Sequence, residues 1–181
     1  MRPFRLASLA VLVFALGLRA ASASSIGVES SAFLDGGVIP PFDSPSINGC
    51  HGRNVSPPLR ITGVPANARS LAVVMFDTDA NAGAGFVHWV AYGLDPTIVS
   101  LPSGFGSAPG PYVAGVNDAG TARYYGPCPP AGDPPHHYTF SVYAVALGRT
   151  QLPPGLSRAA LLHRIAHATL AVGQLAATFA R

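Results

Sequence analysis

Lysine is absent from this sequence: all eleven basic residues are arginine. Charge of either sign is scarce, 10% of 181 residues against 49% apolar ones, and a chain so apolar and so weakly charged is not a disordered one. Glycine and proline together make about a fifth of the chain, short of the ~25–30% that marks low complexity. No apolar run reaches the ~20 residues that a membrane-spanning helix needs, no internal repeat recurs, and no long linker divides the chain. A Gly-x-Ser-x-Gly elbow is also missing, so serine-hydrolase chemistry has no local support. These absences leave one globular, turn-rich domain.

The basic balance that is present, a net charge of +3, gathers at the N-terminus. Arg2 and Arg5 precede an apolar run from Leu6 to Leu18, and Ala21-Ser22-Ala23 follows as a small-x-small cleavage pattern. This order reads as a secretory signal peptide over residues 1–23, with a periplasmic or secreted destination. No cysteine stands near the cleavage point to take a bacterial lipid anchor. The mature part, residues 24–181, holds eight arginines and eight acidic residues and is formally neutral. Neutrality argues against nucleic acid or an anionic membrane as a bulk electrostatic partner, and leaves room for a small local anion site. No stable membrane insertion is expected once the signal is removed, and the sequence leaves a homodimer open. A domain of this size buries roughly 68–70% of its unfolded surface, enough for a core without staples. In an exported chain the even pair Cys50 and Cys128 reads as a disulfide, the alternative being two separate buried thiols.

Along the mature chain, Ile26, Val28 and Phe33 suggest a first strand, and Leu71 to Phe76 is an apolar run suited to a strand buried on both faces. Phe86 to Tyr92 is another strand candidate, carrying His88 beside the single tryptophan, Trp89. Tyr138 to Leu147 alternates and is rich in aromatic and β-branched residues, the clearest strand of the chain. Residues 40–58 and 93–136 are dominated by turn formers. After Pro153-Pro154-Gly155, Ser157 can cap a helix, and Leu161, Leu162, Ile165, Thr169, Val172, Leu175, Ala176 and Phe179 follow a 3.6 period that predicts a helix from Arg158 to Phe179. The order, strands first and one terminal helix, predicts a mainly β domain with the helix at its end.

Few polar residues are placed to carry chemistry. Asp77 and Asp79 stand where an apolar strand ends, His88 lies within a strand, and His136, His137 and Tyr138 stand where a proline-rich loop enters the best strand. Each alone is most simply a turn former or a satisfied core residue. Together, strand-end residues can converge on one pocket. Carboxylate beside imidazole orients the ring, and a glycine such as Gly126 lets backbone approach a ligand closely.

Four stretches resemble the phosphatidylethanolamine-binding protein family, also called Raf kinase inhibitor-like proteins, in its secreted bacterial branch. Cys50-His51-Gly52-Arg53-Asn54-Val55-Ser56-Pro57-Pro58-Leu59 is similar to the family's Gly-x-Asn-x-Ser-Pro-x-Leu segment. Asp77-Thr78-Asp79-Ala80 is similar to its Asp-Pro-Asp-Ala signature, and Phe86-Val87-His88-Trp89-Val90 to its histidine-bearing strand. Tyr125-Gly126-Pro127-Cys128-Pro129-Pro130, with His136-His137-Tyr138 beyond it, is similar to its Gly-Pro-x-Pro-Pro and His-Arg-Tyr stretch.

The resemblance implies packed antiparallel sheets with a C-terminal helix, and a pocket for a small anionic or phosphorylated ligand such as a phospholipid headgroup. Its ligand-binding residues would be Asp77, His88, Gly126, His136 and Tyr138, with Trp89 beside them. No cofactor and no catalytic role are expected. Departures from the pattern are visible. Thr78 and Asn81 stand where the family has prolines, His137 stands for the arginine of His-Arg-Tyr, and Phe179 stands where a tyrosine is frequent. A protein partner, as for a protease inhibitor or modulator, is the first alternative. A metal-dependent hydrolase is the second: His163 and His167 have a metal-compatible i, i+4 spacing, but the intervening Arg-Ile-Ala lacks the glutamate of a helical zinc protease.

Overall fold

The computed structural model describes residues 25–181, so the signal-peptide reading of residues 1–23 lies outside the described residues. Strands come in the order β1 (Gly27–Glu29), β2 (Gly37–Val38), β3 (Leu59–Thr62), β4 (Ser70–Asp77), β5 (Phe86–Leu94), β6 (Ser100–Leu101), β7 (Val113–Ala114) and β8 (His136–Val145). The helix α1 (Arg158–Ile165) and the strand β9 (Thr169–Phe179) complete the chain. Two sheets form: a three-stranded one in the order β1-β3-β6, and a six-stranded one in the order β2-β9-β8-β4-β5-β7. All pairings are antiparallel except the two-residue contact of β2 with β9. Among the described residues no helix is long and apolar enough to cross a membrane.

The apolar run Leu71–Met75 explains the centre of the large sheet. Its residues are buried on both faces, so β4 takes a position flanked by β5 and β8. Leu71, Val73 and Met75 face a core shared with Ile26, Val28, Leu59, Ile61 and Leu101 of the small sheet. Ala72 and Val74 face a second core, closed by Leu152, Leu161 and Ile165 of the segment leading into and through α1. The domain is therefore two packed sheets with one helix on the far side of the larger one.

The terminal helix is shorter than the sequence suggests. Ser157 accepts a hydrogen bond from the Ala160 N–H, as an N-cap does, but the helix ends at Ile165. Residues 169–179 form a strand along β8, with Ala171, Gly173, Leu175, Ala177 and Phe179 buried and Val172, Gln174 and Ala176 exposed. Both periods fit this segment, because most of its buried residues are small and contrast weakly with their neighbours. Pairing with the long, exposed edge of β8 decides for the strand. Gly173 fits that choice, since a Cβ there would overlap the carbonyl of Ile26, the residue before β1. His167 falls in the turn after α1, so His163 and His167 do not share a helix face.

Candidate functional site

Strand periodicity places the polar residues. Asp77 continues the face of Leu71, Val73 and Met75, and its register partner on β8 is Tyr138. His136 and Tyr138, two apart, share the face of Phe140. His88 arrives by a different device. On β5, Trp89 pairs with Met75 and Val87 with Phe76, so His88 is an extra residue with no partner on β4. This bulge suspends alternation: Val87 and Val90 lie in one core while Trp89 enters the other. His88 is thereby turned toward the end of the sheet where Asp77, His136 and Tyr138 meet.

These four residues line one cavity of about 370 Å³, with Asp79, Asp133, Phe86 and Tyr125 among its other walls. That volume suits a small ligand. Asp77, His88, His136 and Tyr138 are all buried. The Asp77 carboxylate accepts hydrogen bonds from the Asp79 and Ala80 N–H groups at 2.9 and 3.1 Å through Oδ1. Its Oδ2 lies 2.8 Å from His136 Nδ1 and 3.9 Å from His88 Nε2. The second distance is too long for a hydrogen bond. Burial alone would raise the Asp77 carboxyl, but the two imidazoles and the two backbone N–H groups outweigh it and hold it well below the usual carboxylate range.

His88 is held from its other side by the Tyr125 carbonyl, 2.7 Å from Nδ1. Its ring packs on Phe86 and meets Tyr138 edge-on, with centroids 4.8 and 5.3 Å apart. The Tyr138 hydroxyl is buried without a hydrogen-bond partner, and burial followed by the nearby Asp77 charge pushes it far up. At the rim, Asp79 Oδ2 accepts the His137 backbone N–H at 2.6 Å and meets His137 Nδ1 at 2.9 Å, and these contacts, the backbone one first, keep the Asp79 carboxyl low.

The loop walls come from the remaining motifs. Asn54, in the left-handed conformation at φ 55°, accepts the Gly126 N–H at 2.8 Å and donates to the Tyr124 carbonyl at 3.3 Å. The Asn-x-Ser-Pro stretch thus positions Tyr125 and Gly126 and does not itself reach the cavity. Cys50 and Cys128 are bonded, with Cα atoms 6.0 Å apart, and Cys128 lines the cavity beside Pro129 and Pro130. Asn81 also lines it, at φ 54°, a conformation closed to proline, and its side-chain amide donates to the Gly85 carbonyl at 2.9 Å. The departure from the family's proline at that position therefore goes with a different local backbone.

Two expected site residues lie elsewhere. Trp89 is not on the cavity wall: the bulge sends it into the core against Tyr124, with ring centroids 6.2 Å apart. Gly126 stands behind the wall, where a Cβ would overlap the Asp43 carbonyl. Asp133 and Tyr125 were not singled out from the sequence. Tyr125 could have been found as the neighbour of Gly126, but nothing local marks Asp133, which reaches within 3.7 Å of His136 Nε2.

Comparison with known proteins adds to this geometry. The family model described as phosphatidylethanolamine-binding protein matches residues 29–180. The chain is 39% identical over 160 residues to a protein of Mycobacterium tuberculosis H37Rv named "Putative lipoprotein LppC", covering 88% of this chain and 75% of that one. It is 43% identical over 102 residues to UPF0098 protein YbcL of Escherichia coli K12, covering 54% of this chain and 56% of YbcL. Two crystal structures match the fold at 31% identity, each covering 87% of this chain and 99% of the other: Escherichia coli YbcL at a TM-score of 0.78, and CT736 of Chlamydia trachomatis at 0.76.

Proposed function

This chain belongs to the phosphatidylethanolamine-binding protein family, and on that premise we propose that it is an exported, non-enzymatic binder of small phosphate-type anions, such as a phospholipid headgroup. Asp77, His88, His136 and Tyr138 are the binding groups, with Gly126 and Trp89 supporting the walls from behind. One observation carries the reading. A buried carboxylate holds two imidazoles beside a buried phenol hydroxyl that has no partner inside the protein. Buried polar groups normally find a partner, so an unpartnered one on a residue that lines a cavity marks a place for a ligand. Cys128, which lines the cavity, is bonded to Cys50 and offers no free thiol there. Export is supported by the N-terminal pattern and by a relative named as a lipoprotein.

Binding to the native state alone raises its stability, by about 2.7 kcal/mol at a hundredfold excess over Kd. Inorganic phosphate is accordingly expected to raise the melting temperature of the folded protein, by about 5–10 °C at that excess. The rise should shrink in His88→Ala and in Asp77→Ala. An equal rise in wild type and both variants would move the anion site away from this pocket.

A further inference from the structure

We propose that the pocket accepts an anion only together with a proton: either the anion brings its own hydrogen-bond donor, or His88 and His136 take up protons as it binds. This rests on the anion-binding reading above. The argument starts from the two ring nitrogens that face fixed partners. His88 Nδ1 lies 2.7 Å from the Tyr125 carbonyl oxygen, which only accepts, so Nδ1 carries the hydrogen. His136 Nδ1 lies 2.8 Å from Asp77 Oδ2, an ionised carboxylate that also only accepts, so again Nδ1 carries the hydrogen. A neutral imidazole has one hydrogen, already placed in both rings. Each neutral ring therefore presents a lone pair at Nε2: His88 toward Asp77 Oδ2 at 3.9 Å, His136 toward Asp133 Oδ2 at 3.7 Å. Neither can donate to an anion until it gains a second proton.

No cationic side chain around the cavity makes up the deficit. The groups facing the two rings are Asp77 and Asp79 from the end of β4, Asp133 and Tyr125 from the loop before β8, and Tyr138 from β8 itself. Among the described lining residues there is no arginine, and the chain contains no lysine. At the position of the family's arginine, His137 lies outside the lining and is paired with Asp79. The Asn81 amide is committed to the Gly85 carbonyl. The side-chain donors left are the phenols of Tyr138 and Tyr125, set against three carboxylates.

Sulfate carries no hydrogen near neutral pH and meets lone pairs and negative charge. Orthophosphate keeps an O–H over the same range. It can donate that hydrogen to an Nε2 or a carboxylate while accepting from Tyr138. An acceptor facing an acceptor in a buried site costs the full desolvation of both, and sites built around a donor discriminate strongly against ligands that lack it. The ligand class is thus an oxyanion that brings its own hydrogen-bond donor, the O–H of orthophosphate or a phosphomonoester, or an ammonium beside a phosphodiester.

Titration calorimetry with inorganic phosphate and with sulfate, at one ionic strength and in two buffers of different ionisation heat, tests this from about pH 5.5 to about pH 8, the range in which histidines change charge. At pH 8 phosphate should bind at least about tenfold more tightly than sulfate, the equivalent of one buried hydrogen bond. Sulfate affinity should rise at least about tenfold toward pH 5.5, with uptake of about one proton or more per sulfate. Equal affinities at pH 8, or sulfate binding without proton uptake, would overturn the proton coupling and leave the anion pocket standing. Binding of neither anion at any pH would overturn both. His137→Gln should keep the pH dependence of sulfate binding; its disappearance would place the coupling at the rim and overturn the assignment to His88 and His136.

Discussion

Asp77 and Asp43 are both buried aspartates, 2% and 4% exposed, and lie on either side of the loop that carries Gly126. Asp77, at the end of β4, sits where neighbouring strands deliver imidazoles and where the chain turns back to offer two N–H groups. It is held ionised. Asp43 ends a 3-10 turn of three residues, Pro41–Asp43, and its Oδ2 has no partner. Burial pushes its carboxyl up to about 6. The Tyr124 hydroxyl is likewise buried and unpartnered, and burial, then the charge of Asp43, raises it well above the usual phenol range. Depth does not set the charge of a buried carboxyl; the donors around it do. One aspartate anchors a site, and the other is a local liability within the wall behind it.

The strongest way to break this arrangement is to cut the covalent link between its halves. The Cys50–Cys128 bond ties the segment following Asp43 to the cavity wall, spanning 78 positions of sequence. Chain entropy puts the loss on reduction at up to about 4–5 kcal/mol, read as a shift of the urea midpoint with and without reductant. A loss below about 1 kcal/mol would mean that the reduced, unfolded chain keeps structure that already holds the two segments near each other.

Next in size is Asp77→Ala. It strands the His136 Nδ1–H and two backbone N–H groups, and is expected to lower stability by about 3 kcal/mol at neutral pH. A carboxyl depressed in the folded state stabilises above its ordinary titration range and loses that contribution as pH falls through the folded value. The gap between wild type and variant should therefore narrow in acid. A gap that is independent of pH would show that shape, and not charge, is what Asp77 contributes.

The smallest effect has the opposite sign. The Asp43 carboxyl is raised in the folded state, so its contribution is present below about pH 4 and is lost as pH rises through about 6. Asp43→Asn should match wild type in melting temperature near pH 4 and exceed it at pH 7.5 by a few degrees. Melting curves at the two pH values decide this, and a variant less stable than wild type at pH 7.5 would place an unrecognised partner on Asp43.

Much of the site is legible in the sequence. Asp77, His88, His136 and Tyr138 stand at strand ends or within apolar strands, in short recognisable motifs, and the structure brings them together. Adjacency misleads for Trp89: paired with Met75, it packs inside the core, while the bulged His88 meets Asp77 at the end of the sheet. The terminal segment misleads for a different reason. Its small residues satisfy helical and strand periods alike, and only β8 as a partner distinguishes them. The short strands β2, β6 and β7, two residues each, have too little length to show a period.

By itself the sequence determines a lysine-free chain, formally neutral over residues 24–181 and rich in strands, a cysteine pair, and the residue types of the pocket. These are properties of composition and of short motifs, readable without knowing what lies opposite. Tertiary structure alone decides which nitrogen of each histidine holds its hydrogen, which aspartate is ionised with ease, and where the last strand lies. Those depend on partners brought from far along the chain. The carbonyl that orients His88 comes from 37 positions away, and the carboxylate that orients His136 from 59. A donor matters only once it is within hydrogen-bond reach, and the packing of the sheets determines that distance.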